Sequence, residues 1–221
     1  MEVKTGVMGR VKYSDVERDK IISTFISAAR EIIETEGIDK LSIRRVASFT
    51  GYSSATIYLY FPNADALITL ACMSYLEKYC RAIADDMDKM KTNYDAHMHT
   101  WEVFSRFAFN SPEIFYHLFY TAHSLPLSET VDTYYKLYPH QLDDIQGPVY
   151  EMLLGGSLEE RCLKVLWPLA QERGISRKDC ELMNDLSICY FRKLLERCIH
   201  DDVEVEVLLA DMMNCLEYLL K

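Results

Sequence analysis

The chain has 221 residues, 49% hydrophobic and 26% charged, with a formal net charge of −10. That balance excludes a disordered chain and supplies core enough for one large or two small domains. No apolar run reaches the roughly 18 residues of a membrane span, and the opening Met-Glu-Val-Lys-Thr-Gly lacks the apolar stretch of a signal peptide.

The charge is unevenly divided. Residues 1–61 carry nine Lys/Arg against eight Asp/Glu, and residues 62–221 carry fifteen against twenty-six. Only the N-terminal part can approach a polyanion without strong repulsion. Seven cysteines, at 72, 80, 162, 180, 189, 198 and 215, form no CxxC pair. They read as small buried hydrophobes in a reducing, cytoplasmic compartment.

In chain order, residues 1–14 hold Lys4, Arg10 and Lys12 without apolar period. They read either as a basic arm reaching DNA or as a tail without structure. From Asp15 an amphipathic helix carries Ile21, Ile22, Phe25, Ala29, Ile32 and Ile33 on one stripe and closes at Gly37. Between Leu41 and Phe61, Ser42 is the expected N-cap of a short helix bearing Ile43, Val46 and Ala47. Gly51 supplies the turn, and Ser53 and Ser54 cap a second helix with Ile57 and Phe61 on one side. This is the pattern of a helix-turn-helix, although a helical hairpin in an all-α core has the same turn chemistry. Pro62 ends the second helix, and Asn63 or Asp65 caps a long one over 65–90. Breaks at Ser111-Pro112, Ser124-Leu-Pro126, Tyr138-Pro139, Gly155-Gly156 and Gly174 predict helices near 94–110, 112–123, 128–137, 140–154, 157–173, 177–200 and 203–220. With no convincing strand, the expected fold is all-α: a three-helix helix-turn-helix domain over 1–64 and a larger helical domain over 65–221.

A wider string of residues adds to this. Ala28-Ala29, Gly37, Leu41-Ser42-Ile43, Val46-Ala47, Gly51, Ser53, Thr56-Ile57-Tyr58, Tyr60-Phe61 and Leu67 occur in order. Over roughly residues 18–70 the chain thereby resembles the DNA-binding domain of the TetR (tetracycline-repressor-type) family of bacterial transcription regulators. The resemblance implies a homodimer on double-stranded operator DNA, with a regulatory and dimerisation domain that encloses an unknown small-molecule effector. Two positions depart from the family pattern. Ala64 stands where lysine is usual and Ile22 where arginine is common, and each change removes an expected phosphate contact.

A helical wheel through Ile57 turns Ala55 and Leu59 outward, flanked by Thr56 and Tyr58. Residues 53–61 hold no Arg, Lys, Asn or Gln. The expected reading is therefore by methyl contact and shape at a T-rich half-site, with Ser54, Thr56, Tyr58 and Tyr60 on phosphates. Ser42, Arg44, Arg45 and Ser53 complete the expected DNA surface, with the two arginines as its cations. In the larger domain, Trp101, Phe104, Phe107, Phe115, Tyr116, Phe119, Tyr120 and His123 line an effector pocket or fill a core. Tyr190, Phe191, Leu194, Leu208, Met212 and Leu216, on the last two helices, are the expected dimer contacts.

Other chemistry is thinly represented. His97 and His99 diverge by about 200° on a helix and poorly share an ion. Asp85-Asp86-Met-Asp88 and Asp143-Asp144 read as solvated faces. Cys189 and Cys198 could sense oxidants, but no cation pattern favours their thiolates. No nucleophile elbow, P-loop, dinucleotide fingerprint or zinc-protease motif occurs. The expectation is a non-enzymatic regulator, acting chiefly as a repressor, without metal, cofactor or membrane. The alternative is an interaction protein on the same scaffold with weakened DNA contacts.

Overall fold

The computed structural model describes residues 14–87, 89–143, 145 and 147–221. Residues 1–13 of the proposed arm, Asp88 and Asp144 lie outside them. Among the described residues the elements are eleven α-helices and two 3₁₀ turns, with no strand. The N-terminal set is α1 (Asp15–Glu36), α2 (Ile43–Thr50) and the four-residue α3 (Ser54–Ile57). Ser14 and Glu17 form a capping box at the start of α1, and Gly37 ends it at φ 91°, a conformation other residues rarely adopt.

The long α4 (Ala64–Met87) is the spine of the molecule. α1 packs on it from one side, and α5 (Asn93–Phe109), α6 (Pro112–Tyr120), α7 (Leu127–Leu137) and α8 (Gly147–Leu153) pack from the others. Asn63, rather than Asp65, caps α4, accepting from the Ala66 N–H at 2.9 Å. α9 (Leu158–Glu172), α10 (Arg177–His200) and α11 (Val205–Leu219) close the bundle. The single helix expected over 140–154 is corrected. A 3₁₀ turn (Pro139–Leu142) and α8 replace it, since Pro148 has no N–H to carry one helix through this point and is best tolerated in the first turn of a new one.

One continuous core runs from Phe25, Ile32, Val46 and Ile57 through Met73, Leu76 and Tyr79 to Phe104, Phe115 and Phe191. The N-terminal helices also join the rest through polar contacts. Arg30 of α1 donates to the Tyr134 hydroxyl at 2.9 Å, and that hydroxyl donates to Glu77 of α4 at 3.0 Å.

At the core's centre lies a cation. Arg161 is 1% exposed. Its Nε donates to the Gly155 carbonyl at 2.9 Å, Nη2 to the Leu153 carbonyl at 2.7 Å, and Nη1 to the Tyr79 hydroxyl at 3.1 Å. Among the described residues it meets no carboxylate in an ion pair. Gly155 is glycine for lack of room: a Cβ there would lie 2.8 Å from Arg161 Cγ and 3.1 Å from the Met152 carbonyl. Gly155→Ala is expected to lower stability by about 2 kcal/mol, measured by urea unfolding.

His97 is a second buried polar group, with Nδ1 unpartnered. Burial, and after it the charge of Arg173, pushes its pKa from 6.5 down to about 4. Since the folded value is the lower one, the unfolded chain takes up the proton first. The stability is present above pH 6.5 and is lost as pH falls toward 4. From about pH 7.5 to 5, His97→Gln is expected to lose roughly 2 kcal/mol less than the parent chain, read from urea midpoints at fixed protein concentration.

Candidate nucleic-acid interface

The turn between α2 and α3 forms as its residues dictate. The Ser42 hydroxyl accepts from the Arg45 N–H at 3.2 Å. Gly51 takes the left-handed conformation at φ 75°. The Ser53 hydroxyl accepts from the Thr56 N–H at 3.1 Å and lies 2.9 Å from the Thr56 hydroxyl. The Ser42 and Ser53 hydroxyls are thus engaged in capping, and the Thr56 hydroxyl is bonded to the second. Ile57 is fully buried, and Phe25 is ringed by Tyr52 at 5.1 Å, Tyr60 at 5.9 Å and Phe61 at 6.3 Å. The aromatic cluster anchors the far end of the turn.

With Ile57 held inward, Tyr58 is 54% and Leu59 65% exposed, beside an exposed Ala55. The second helix of the turn is shorter than the pattern suggested. It ends at Ile57, and Tyr58–Tyr60 continue as a tight turn whose N–H groups bond to carbonyls two, three or four residues back. Tyr60 is half-buried, packed on Phe25 with the Arg18 guanidinium 5.4 Å over its ring. Tyr58 is therefore the more open of the two tyrosines.

The two expected cations separate. Arg44 is exposed, and among the described residues no ion pair engages it. Arg45 is bound by Glu36 at the end of α1, with Nε 3.0 Å from Oε2 and Nη2 against Oε1. That contact holds the Glu36 carboxyl below its usual range. Ile22 and Ala64, the two departures from the resemblance, are partly buried against the core.

On α5 and α6, Trp101, Phe104 and Phe115 are buried in the core, and Phe107, Tyr116, Phe119 and Tyr120 pack against it. The space beside them is small. Tyr79, Thr100, Trp101, Phe104, Met152, Leu158, Arg161, Cys162 and Val165 enclose only about 10 Å³. A larger open groove of about 720 Å³ lies among Glu151, Gly155, Glu160, Leu163, Lys164, Trp167, Pro168 and Arg177.

Most of the residues expected at a dimer contact are covered by their own chain. Phe191, Leu194, Leu208, Met212 and Leu216 are buried within the chain itself, and Tyr190 is half-buried. They cover α5, α6 and α9, which the amphipathic pattern alone could not distinguish from a second chain. Leu182, Leu186 and Cys189 of α10 and Val207 and Tyr218 of α11 are the apolar residues facing outward.

Cys189 is thus exposed rather than buried, and among the described residues the cysteines are free. Cys198 donates to the Phe109 carbonyl at 3.3 Å, and burial raises its pKa. His97 and His99 do not converge: His97 is buried, while His99 Nε2 stands 3.8 Å from Asp86 Oδ2. Asp86 also pairs with Lys89, and Asp143 with His140 at 3.1 Å.

Two groupings escaped the linear reading. One is buried Arg161. The other is Asp65, His117 and His123, whose ligand atoms lie within 4.8 Å of one another. Burial, and then the nearby His123, pushes the His117 pKa down to about 4. Asp65 stays below the usual carboxylate range. Its burial acts against that shift, but hydrogen bonds from the Ser124 N–H and the His123 ring outweigh it. No spacing rule joins positions 65, 117 and 123, so only their approach in space reveals them.

Residues 25–70 match the sequence profile of bacterial regulatory proteins of the tetR family. An uncharacterised HTH-type transcriptional regulator of Haemophilus influenzae is 26% identical over 88 residues. That match takes in 40% of this chain and 47% of the relative, so the aligned segment spans about half the relative's length. A solved structure of Thermus thermophilus FadR, a TetR-family transcriptional repressor in complex with lauroyl-CoA, aligns at TM-score 0.59 and 17% identity. It covers 90% of this chain and 93% of its own. Bacillus subtilis FadR in complex with stearoyl-CoA aligns at 0.55 and 17%, covering 90% and 97%. At these identities the structures bear on fold alone. None of the described helices is long and apolar enough to cross a membrane.

Proposed function

The chain carries the N-terminal domain of the tetR family of bacterial regulatory proteins on the fold of TetR-family regulators, and from that premise we propose a transcriptional regulator that represses by binding operator DNA as a homodimer and leaves it when an effector binds. The observation that carries this reading is the pairing of exposed Tyr58 and Leu59 directly after fully buried Ile57. Two large side chains held outward on an anchored turn suit methyl groups and phosphates in a major groove. Ala55 and Arg44 extend that surface, while Arg45, tied to Glu36, gives it less charge than its sequence suggests.

The dimer face in this reading is the outward side of α10 and α11. Leu182, Leu186 and Cys189 succeed one another at helical spacing, as do Val207, Asp211, Asn214 and Tyr218. A two-fold axis there would join the faces isologously and set two reading helices about one DNA turn apart. Leu186→Asp is expected to halve the molecular mass observed by sedimentation without lowering helix content.

The effector site in this reading is the junction of α4, α5 and α9 around Trp101, Phe104 and Arg161. Two proteins of this fold hold long-chain acyl-CoA thioesters. An apolar body with one polar or anionic group suits a junction of aromatics and a buried guanidinium. Since the space there is about 10 Å³, the effector must select a state in which α5 and α9 stand apart.

Selection of binding sites from random duplex DNA by the full chain tests the proposal. The expected result is a two-fold symmetric site with T-rich half-sites, its affinity falling as salt rises. Recovery of no sequence would overturn it in favour of an interaction protein on the same scaffold, a reading favoured by the absence of cations from residues 53–61.

A further inference from the structure

We propose that Asp65, His117 and His123 bind a divalent first-row transition-metal ion. The three come from separate segments: the first turn of α4, the middle of α6, and the loop leading to α7. Asp65 Oδ1 lies 3.0 Å from His123 Nδ1 and 3.9 Å from His117 Nε2. The Thr69 hydroxyl, one turn further along α4, is 3.1 Å from His117 Nε2 and 3.3 Å from His123 Nδ1. Metal–ligand bonds of about 2.0–2.2 Å place neighbouring ligand atoms roughly 3–3.5 Å apart. The cluster already has one pair at that spacing, and the others must close by roughly an ångström. Two imidazoles and a carboxylate on one side of an ion leave its other positions open, a donor set that suits iron, cobalt, nickel or zinc over magnesium.

The surroundings aim the ligands. His123 Nε2 lies 3.3 Å from the Leu118 carbonyl, which can only accept, so that nitrogen carries the proton. Nδ1 faces Asp65 Oδ1 at 3.0 Å, and without a proton of its own it would set a lone pair against that acceptor. Such a contact repels unless a proton or a cation lies between the two atoms. A backbone carbonyl fixing the far nitrogen of an imidazole is also how metal-bound histidines are commonly held. Asp65 Oδ2 is occupied separately, accepting from the Ser124 N–H at 2.8 Å and the Ser124 hydroxyl at 2.9 Å. Its Oδ1 is thereby left facing the two rings, which stand 4.9 Å apart and nearly perpendicular.

The cluster is sheltered but reachable. The side chains of Asp65, His117 and His123 are 27%, 15% and 10% exposed. His117 also borders an open groove of about 440 Å³ with Glu113, Tyr116, Thr121 and His200, which gives an ion a way in. An ion there would fasten the first turn of α4, four residues beyond Phe61, to α6 and the loop after it. It would therefore bias how α2 and α3 sit on the rest of the chain. This last consequence rests on the regulatory reading above, whereas metal binding does not.

The full chain, stripped with EDTA, is titrated with Co²⁺ and monitored by visible absorption. The expected result is one equivalent bound with ligand-field bands, displaced by Zn²⁺. Asp65→Asn, His117→Gln and His123→Gln should each weaken binding at least about tenfold, and His140→Gln, at an exposed histidine, should not. Circular dichroism checks that each variant is folded, and Zn²⁺ should raise the melting temperature of the parent chain but not of Asp65→Asn. Absence of a Co²⁺ spectrum in the parent, or a spectrum unchanged in all three folded variants, overturns the site. If the metal binds but the affinity for selected DNA is the same with and without Zn²⁺, the regulatory consequence fails and the site stands.

Discussion

Leu59→Asp is expected to abolish sequence-specific DNA binding while leaving the fold intact. Leu59 is 65% exposed and lies within the tight turn between the buried anchors Ile57 and Phe61, so its side chain contributes little to the core. An exposed site of this kind changes stability by about 0.5 kcal/mol or less. Against DNA, the same change replaces a methyl-contacting surface by a carboxylate among phosphates. Loss of readout at one base pair costs about 1–3 kcal/mol, and the two-fold symmetry of the proposed dimer would count each loss twice. The affinity for a selected site should therefore fall by roughly 100-fold or more, before charge repulsion is added. Tyr58→Ala should act in the same direction and more weakly. Arg44→Ala should reduce the dependence on salt, since in the proposed complex it removes a phosphate cation from each half of the dimer. Gel-shift titrations at two salt concentrations separate these effects. Undiminished binding by Leu59→Asp would remove Tyr58 and Leu59 as the reading surface.

The largest effect on stability is expected at Arg161. Arg161→Ala leaves the Leu153 and Gly155 carbonyls and the Tyr79 hydroxyl without their donor in a buried place, and it opens a cavity. Each unsatisfied group costs about 1–3 kcal/mol. Relief from burying an unpaired cation offsets part of that cost. A net loss of about 3–5 kcal/mol is expected, which in a chain of this size lowers the melting temperature by roughly 10 °C. Arg161→Lys should restore little of it. An ammonium at the end of a flexible stem keeps the charge but cannot present the guanidinium's fixed fork to three acceptors at once. Rescue by lysine would mean that charge, not the three-way geometry, holds α8 and α9 to α4. Thermal and urea unfolding of the two variants decide this.

The all-α fold and the turn from Ser42 to Phe61 follow from local sequence alone. The determinants there are local. Ser42 and Ser53 cap the helices that begin immediately after them, Gly51 alone tolerates φ 75°, and the spacing of Val46, Ala47, Ile57 and Phe61 selects one buried side. The outward direction of Ala55, Tyr58 and Leu59 comes from the same helical period. A stripe of apolar residues shows that a helix is covered without showing by what. Phe191, Leu194, Leu208 and Met212 therefore read as a dimer face, although their own chain covers them, and the less regular outward set of Leu182, Leu186 and Val207 gives no comparable signal. Ionic contacts depend on approach across elements. Arg45 is legible as a cation, but not as one already held by Glu36 of the preceding helix. Arg161 looks like any charged position on an amphipathic helix until α4 and α8 close over it. Asp65 looks like a cap, and His117 and His123 like polar groups in an aromatic run. Their convergence requires α6 and the loop after it to fold back on the first turn of α4, and no local pattern encodes a meeting of residues so far apart along the chain.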